Sequence, residues 1–335
     1  MWVFRTIGVT RCSPGVSSFA RCLHTCSALE AVTKANLSKL RKKTGFTFVN
    51  CKKALEKFEN DLEQAEKWLK EQAQKEGWAK ATKLQDRQTA QGLVGVAQEG
   101  TMATMVEVNC ETDFVARNPK FHQLVTQVAM ATLSDVKAHP QWTLGWLKAL
   151  HTGEELRQLR VGDATLGDLT ALTIGSLGEN IQIRRAMYYS VPPIPTKHIG
   201  VYVHAPVART TTTSSQSAES CQLGKYGALV AFRRRNTEFQ NFNAAELGRR
   251  LGQHVVGMNP LTVGEMPEIW QEEKSSDGDN REEEGSSTDS DENETQMLRQ
   301  TFLLDPTMSV GELVRQQGIE LLDFVRFECG EVEES

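Results

Sequence analysis

The sequence predicts an α+β protein. Three observations carry that reading: helical apolar spacing across residues 33–76, a strand–turn–strand pattern across 93–109, and further strands with a helix after Pro192, Pro193 and Pro195. At 335 residues the chain is long enough for two or three packed units. Hydrophobic residues make up 39% and charged residues 24%, a balance suited to folding in water. No run of about 18 apolar residues occurs, so no transmembrane helix is expected.

The elements follow in order. Thr33 is placed to cap a first helix whose inner positions are Leu37 and Leu40 and which Thr44-Gly45 stops. Thr47 caps a second, with Cys51, Leu55 and Phe58 inward; Asn60 starts a third, bearing Leu62, Ala65, Trp68, Leu69 and Ala73. Residues 77–91 are polar and aperiodic and read as a linker. Leu93–Gln98 and Met102–Asn109 read as a hairpin joined by Glu99-Gly100, with Met102, Thr104, Val106 and Val108 on one face. A short turn of helix begins at Thr112. Asn118-Pro119 then opens a longer helix with its buried stripe on Phe121, Leu124, Val125, Val128 and Ala129. A leucine-rich helix around 166–177 leads into a strand over 181–191. The second unit holds strands at 198–204 and 225–232, a helix carrying Leu247, Leu251, Val255 and Met258, a capped helix from Ser309 and Glu312 to the stop at Gly318, and a last strand with Val325, Phe327 and Cys329 on one face.

The net charge of −5 hides an uneven distribution. Residues 1–30 carry Arg5, Arg11 and Arg21 against Glu30, the composition of a mitochondrial transit peptide that is cut near residues 25–33. Residues 265–296 hold 13 acids against Lys274 and Arg281, rich in Ser, Asp and Glu, and read as a disordered acidic insertion. The remainder is mildly basic at +4. The predicted organisation is therefore a leader over 1–32, a three-helix module over 33–76, a linker over 77–91, a first core subdomain over 92–191, and a second over 192–264 and 297–331.

No catalytic signature stands out. The chain lacks a phosphate-binding glycine loop, a dinucleotide fingerprint, a zinc-protease helix and a nucleophile elbow, and its seven cysteines form no Cys-x-x-Cys pair. Neither a cofactor nor a metal is expected, and binding is the stronger reading than side-chain chemistry.

Five stretches, in order, resemble the translation elongation factor Ts family. They are Thr44-Gly45 with Asn50-Cys51-Lys52-Lys53-Ala54-Leu55, the run from Val108 through Thr112-Asp113-Phe114-Val115 to Asn118, Leu177-Gly178-Glu179-Asn180 leading into Ile183-Arg184-Arg185, Phe302-Leu303-Leu304-Asp305-Pro306, and Phe324-Val325-Arg326-Phe327-Glu328. With the leader and the Gly248–Gly257 helix, the match resembles the mitochondrial form of the family. The resemblance implies a ubiquitin-associated-like (UBA-like) three-helix module and a core of two antiparallel α+β subdomains. It implies a guanine nucleotide exchange factor, not an enzyme, that binds mitochondrial elongation factor Tu in its GDP-bound or nucleotide-free state, in the matrix, without nucleic acid or membrane. The absence of heptads over 258–330 favours a one-to-one heterodimer.

Residue by residue, the resemblance places Lys52, Asp113, Phe114, Leu177, Gly178, His204, Leu303 and Leu304 at the partner, and Thr112, Asp113, Phe114 and Val115 in the motif that displaces the partner's Mg²⁺. Several also have a plain reading: Lys52 as a solvated lysine, Asp113 as a helix-start charge, Phe114 as core beside Phe121, Leu177-Gly178 as a helix stop, and Leu303 and Leu304 as core. Ala205 follows His204 where the family has glycine. The competing class is an RNA- or ribosome-binding factor, for which Arg233-Arg234-Arg235 is a dense basic run without aromatic interleaving beyond Phe232.

Overall fold

The computed structural model describes residues 34–44, 46, 48–138, 147–205, 221–235, 242–266 and 294–331. The leader, the Thr33 and Thr47 caps, the Gly45 stop and nearly all of the acidic stretch lie outside them. The chain divides into two compact units, Met1–Lys70 and Glu71–Ser335.

In the first unit α1 (Lys34–Thr44), α2 (Phe48–Lys57) and the start of α3 (Leu62–Leu84) enclose Leu37, Leu40, Cys51, Ala54, Leu55, Ala65 and Leu69. Glu59 and Asn60 turn the chain at φ +49° and +69°, a region that asparagine tolerates. The cap falls one residue after the expected Asn60. The Asp61 carboxylate accepts from the Glu63 and Gln64 amides at 2.8 and 3.1 Å, and these bonds hold its pKa below the usual carboxylate range.

The linker expected over 77–91 is corrected: α3 continues to Leu84 and the next strand begins at Gln91. Its polar surface hid the helix because the last turns bury little beyond Gly77. A Cβ at Gly77 would lie 2.2 Å from the Ala171 carbonyl oxygen, and Trp78 Nε1 donates to Asp168 at 3.0 Å. Backbone contact, not an apolar stripe, fastens this segment to the core.

Two larger antiparallel sheets build the second unit, beside a small two-stranded pair, β4 (Arg160–Val161) with β5 (Ala164–Thr165). The first has the order β3 (Leu147–Thr152), β6 (Ile181–Ser190), β2 (Met102–Cys110), β1 (Gln91–Glu99), β8 (Cys221–Gly224); the second is β10 (Ile319–Glu328), β9 (Tyr226–Arg234), β7 (Lys197–His204). On β2, Val106 and Val108 pack toward α5 (Pro119–Lys137) and α7 (Leu166–Leu177), while Ala103 and Met105 meet Ile199, Leu229 and Phe327 of the second sheet. The central strands are thus buried on both faces. A third apolar cluster lies between β9 and the helices α8 (Ala244–Met258) and α9 (Val310–Gln316).

One strand crosses the predicted subdomain boundary. β8 comes from the second stretch yet pairs with β1 through Val94–Ala97, and Lys225 alone separates it from β9 in the other sheet. Four residues without alternation leave no strand signal. The expected Asn118 cap, the Ser309–Glu312 capping box and the Gly100 and Gly318 turns are present.

Candidate partner-binding surface

After β2 the Glu111–Asn118 stretch leaves the sheet and turns through α4 (Asp113–Ala116) before α5 begins. Thr112 caps α4, its hydroxyl oxygen accepting from the Val115 amide at 3.4 Å. Val115 and Ala116 point into the core, at 7% and 2% exposure. Phe114 faces the other way and is 80% exposed. This overturns its plain reading as a core ring beside Phe121. Val115, expected in the Mg²⁺-displacing motif, is buried and anchors the turn to the core. Asp113 is half-exposed and pairs with Arg117 one turn on, at 2.9 Å.

The turn is braced by the residues between α7 and β6. Glu179 accepts twice from Thr112, at 2.7 Å from the hydroxyl and 3.1 Å from the amide, while Glu111 accepts from the Asn180 amide at 2.7 Å. Asn180 in turn donates to the Arg87 carbonyl at 2.9 Å. These reciprocal bonds join two motifs that stand far apart in sequence. They place the Leu177-Gly178 end of α7 beside the Asp113-Phe114 turn. Gly178 closes α7 at φ +82° and faces open space, so its glycine answers the left-handed backbone rather than crowding.

A second patch forms where β7 and α8 end and β9 begins. His204 is exposed, its Nδ1 3.0 Å from the Tyr202 hydroxyl, and Leu303 is 39% exposed. Both line one cavity of about 360 Å³. Leu304 is 38% exposed, whereas Phe302 before it is fully buried. Ala205 stands at φ +52°, which explains physically why glycine suits that position. Ala205→Gly is expected to raise stability by up to about 1 kcal/mol, the left-handed strain being partly offset by glycine's greater unfolded-state freedom. Urea unfolding checks it, and a loss of stability would contradict the assignment of strain.

Sequence reading missed what holds Leu303 in place. The Leu303 amide donates to Nδ1 of His254 at 3.2 Å, which fixes the proton on Nε2, and Nε2 donates to Gln300 at 3.0 Å. His254 is fully buried, and burial pushes its pKa down to about 4 against the opposing bond from Gln300. The folded imidazole stays neutral while the unfolded one protonates near pH 6.5. Stability from this residue is complete above that pH and is lost as pH falls toward 4, by about 3 kcal/mol at about 1.4 per unit. The stability advantage of the native chain over His254→Gln should shrink by that amount between pH 7 and pH 4 in urea titrations. An unchanged gap would mean that the imidazole is not buried neutral.

Lys52 lies in the first unit, exposed and 3.6 Å from Glu56 on its own helix. It lines a cavity of about 700 Å³ with Leu37, Phe46 and Phe48 inside and Lys34, Arg41 and Lys42 around it. The arginine run is less available than its sequence suggests. Arg233 and Arg235 both pair with Glu320, the latter at 3.1 Å, and Arg234 lies over Phe242. Among the described residues no group of three or more His, Cys, Asp or Glu is placed to hold a metal ion. The thiols of Cys110, Cys221 and Cys329 are all pushed up to about 12, chiefly by burial, and so are protonated at neutral pH.

A two-sheet α+β core presents an exposed phenylalanine on a braced turn, the kind of surface that suits contact with another protein. The profile described as "Elongation factor Ts, mitochondrial, N-terminal" matches residues 20–79, and that described as "Elongation factor TS" matches residues 111–331. The chain belongs to the elongation factor Ts family. It is 88% identical over 329 residues, 98% of each chain, to "Elongation factor Ts, mitochondrial" of Branchiostoma floridae. It is 48% identical over 312 residues to the protein of that name from Xenopus laevis, covering 93% of this chain and 91% of that one. To the Homo sapiens protein it is 46% identical over 308 residues, 91% of this chain and 86% of the other.

Proposed function

We propose that this chain is a guanine nucleotide exchange factor that binds mitochondrial elongation factor Tu in its GDP state and speeds GDP release, supporting translation elongation in the matrix. The observation that carries the reading is Phe114: an 80% exposed ring on a turn whose base is bonded at both Thr112 and Glu111. A solvent-exposed phenylalanine on a rigid support is costly to keep in water and suited to entering a crevice. Forced into the nucleotide domain of Tu, it would shift the elements that hold Mg²⁺ against the phosphates. Loss of that cation removes the main charge that neutralises GDP, and the nucleotide leaves.

Lys52, Leu177, Gly178, His204, Leu303 and Leu304 supply docking in this reading, and Asp113 with Phe114 supplies the wedge. The chain acts without a catalytic site of its own. The first unit serves as a UBA-like module, the leader directs import, and the assembly is a one-to-one heterodimer. Docking on Tu draws on the family to which the chain belongs and on the exposure of these side chains. Size-exclusion chromatography with light scattering on the chain mixed with GDP-loaded Tu tests it. The expected product is a heterodimer depleted of nucleotide; separate peaks at micromolar concentration would refute the proposal.

A further inference from the structure

Thr112 stands two residues before Phe114, and each of its polar groups is engaged within this chain. Its amide and hydroxyl both donate to Glu179, at 3.1 and 2.7 Å. The hydroxyl oxygen also accepts from the Val115 amide at 3.4 Å, and the carbonyl accepts from the Cys110 thiol and the Ala116 amide, each at 3.2 Å. Glu179 is unusually placed for an acid with a purely structural role. It directly follows Gly178, the C-cap of α7, where the helix dipole disfavours negative charge. Among the described residues it forms no ion pair: Arg87 pairs with Glu111, and Arg117 with Asp113. Its charge serves two neutral donors of one residue, and bonds to an ionised acceptor are roughly twice as strong as neutral ones.

We infer that Glu179 is a positioning residue for nucleotide exchange: it acts through Thr112 to fix the direction in which Phe114 projects, and does not itself dock on elongation factor Tu. The inference rests on the exchange-factor reading and deepens it. Phe114 is 80% exposed, so little packing aims its ring, and the backbone of the four-residue α4 must do so. A single helical turn does not hold itself in water, so its start has to be fixed from outside. Val115 and Ala116 anchor one side of the turn by burial, and the paired bonds from Glu179 hold Thr112 on the other. Two bonds to one carboxylate fix both the position and the rotation of Thr112. With them the ring meets the partner already aimed; without them part of the docking energy goes into ordering the turn. Thr112 takes a changed role as well, since its polar atoms set the turn rather than reach the partner.

Glu179→Ala removes both acceptors, whereas Glu179→Gln keeps one oxygen and turns an amide toward the other donor. Circular dichroism and melting establish whether each full-length variant folds. Stopped-flow release of fluorescent GDP from mitochondrial elongation factor Tu, followed against chain concentration, then gives the maximal rate and the half-saturating concentration separately. Glu179→Ala is expected to lower the maximal rate at least about fivefold and Glu179→Gln by a smaller factor, with half-saturation within about twofold of the native chain. Added to Phe114→Ala, either change should have no further effect, because the ring it aims is gone. A native maximal rate in folded Glu179→Ala overturns the inference. So does a higher half-saturating concentration at an unchanged maximal rate, which would make Glu179 a docking contact. An undiminished loss in the Phe114→Ala background, or failure of both variants to fold, would leave it a structural residue only and overturns the inference too. A native chain that leaves GDP release at its spontaneous rate overturns the exchange-factor reading, and this inference with it.

Discussion

Asp113→Ala combined with Phe114→Ala is expected to leave the protein folded and binding Tu, yet to slow GDP release at least about tenfold, equivalent to about 1.4 kcal/mol. The structural cost should be small. Phe114 is 80% exposed, so its removal creates no cavity, and surface changes of this kind stay within about 0.5 kcal/mol. The Asp113–Arg117 pair is a one-turn surface ion pair of about 0.3–0.5 kcal/mol. Stopped-flow release of fluorescent GDP from Tu reads the effect. Coupling is reciprocal, so the variant should also bind GDP-loaded Tu with less mutual weakening than the native chain does. A folded variant that exchanges nucleotide at the native rate would show that the wedge lies elsewhere.

Glu107→Ala should be the most destabilising single change, by about 3–5 kcal/mol. Glu107 is fully buried in β2 and accepts from Arg184 at 3.0 Å, Arg185 at 2.8 Å, Asn109 at 3.1 Å and the Gly330 amide at 2.8 Å. It joins β2, β6 and the segment after β10, and so ties the two sheets together at the base of the 111–118 turn. Alanine would leave two arginines facing a buried gap. Urea unfolding is the check, with Glu107→Gln expected to lose less because it keeps the shape and one acceptor oxygen. A change under about 1 kcal/mol in Glu107→Ala would mean that water replaces the carboxylate freely.

Glu107 and the helix after it also mark what the sequence discloses. α5 was legible in full, because Asn118-Pro119 and five apolar positions at helical spacing point to one answer, and all five are buried. The hairpin was legible for the same reason. Glu107 was not, since an acid between Val106 and Val108 reads as the solvent side of a half-buried strand, and only the second sheet makes that side interior. The run 147–158 gave no reading, although β3 and α6 (Gly153–Gln158) form there. β3 is an edge strand, short and without strict alternation, and α6 is capped by the Thr152–Glu155 box rather than by any apolar stripe.

The candidate site divides along similar lines. Motif resemblance named its residues, but residue chemistry left Phe114 undecided between core and surface, because a single ring beside a helix start serves either. Solvent exposure settles that choice. The brace from Glu179 to Thr112 and the His254 bond to Leu303 depend on contacts across 67 and 49 positions. No local spacing encodes such pairs.

The most direct test of the exchange-factor account is the rate at which fluorescent GDP leaves mitochondrial elongation factor Tu as this chain is added at fixed Mg²⁺. The account predicts a rate that rises with concentration, saturates, and loses sensitivity to added Mg²⁺ as the complex forms. A rate that stays at its spontaneous value at micromolar chain would contradict it.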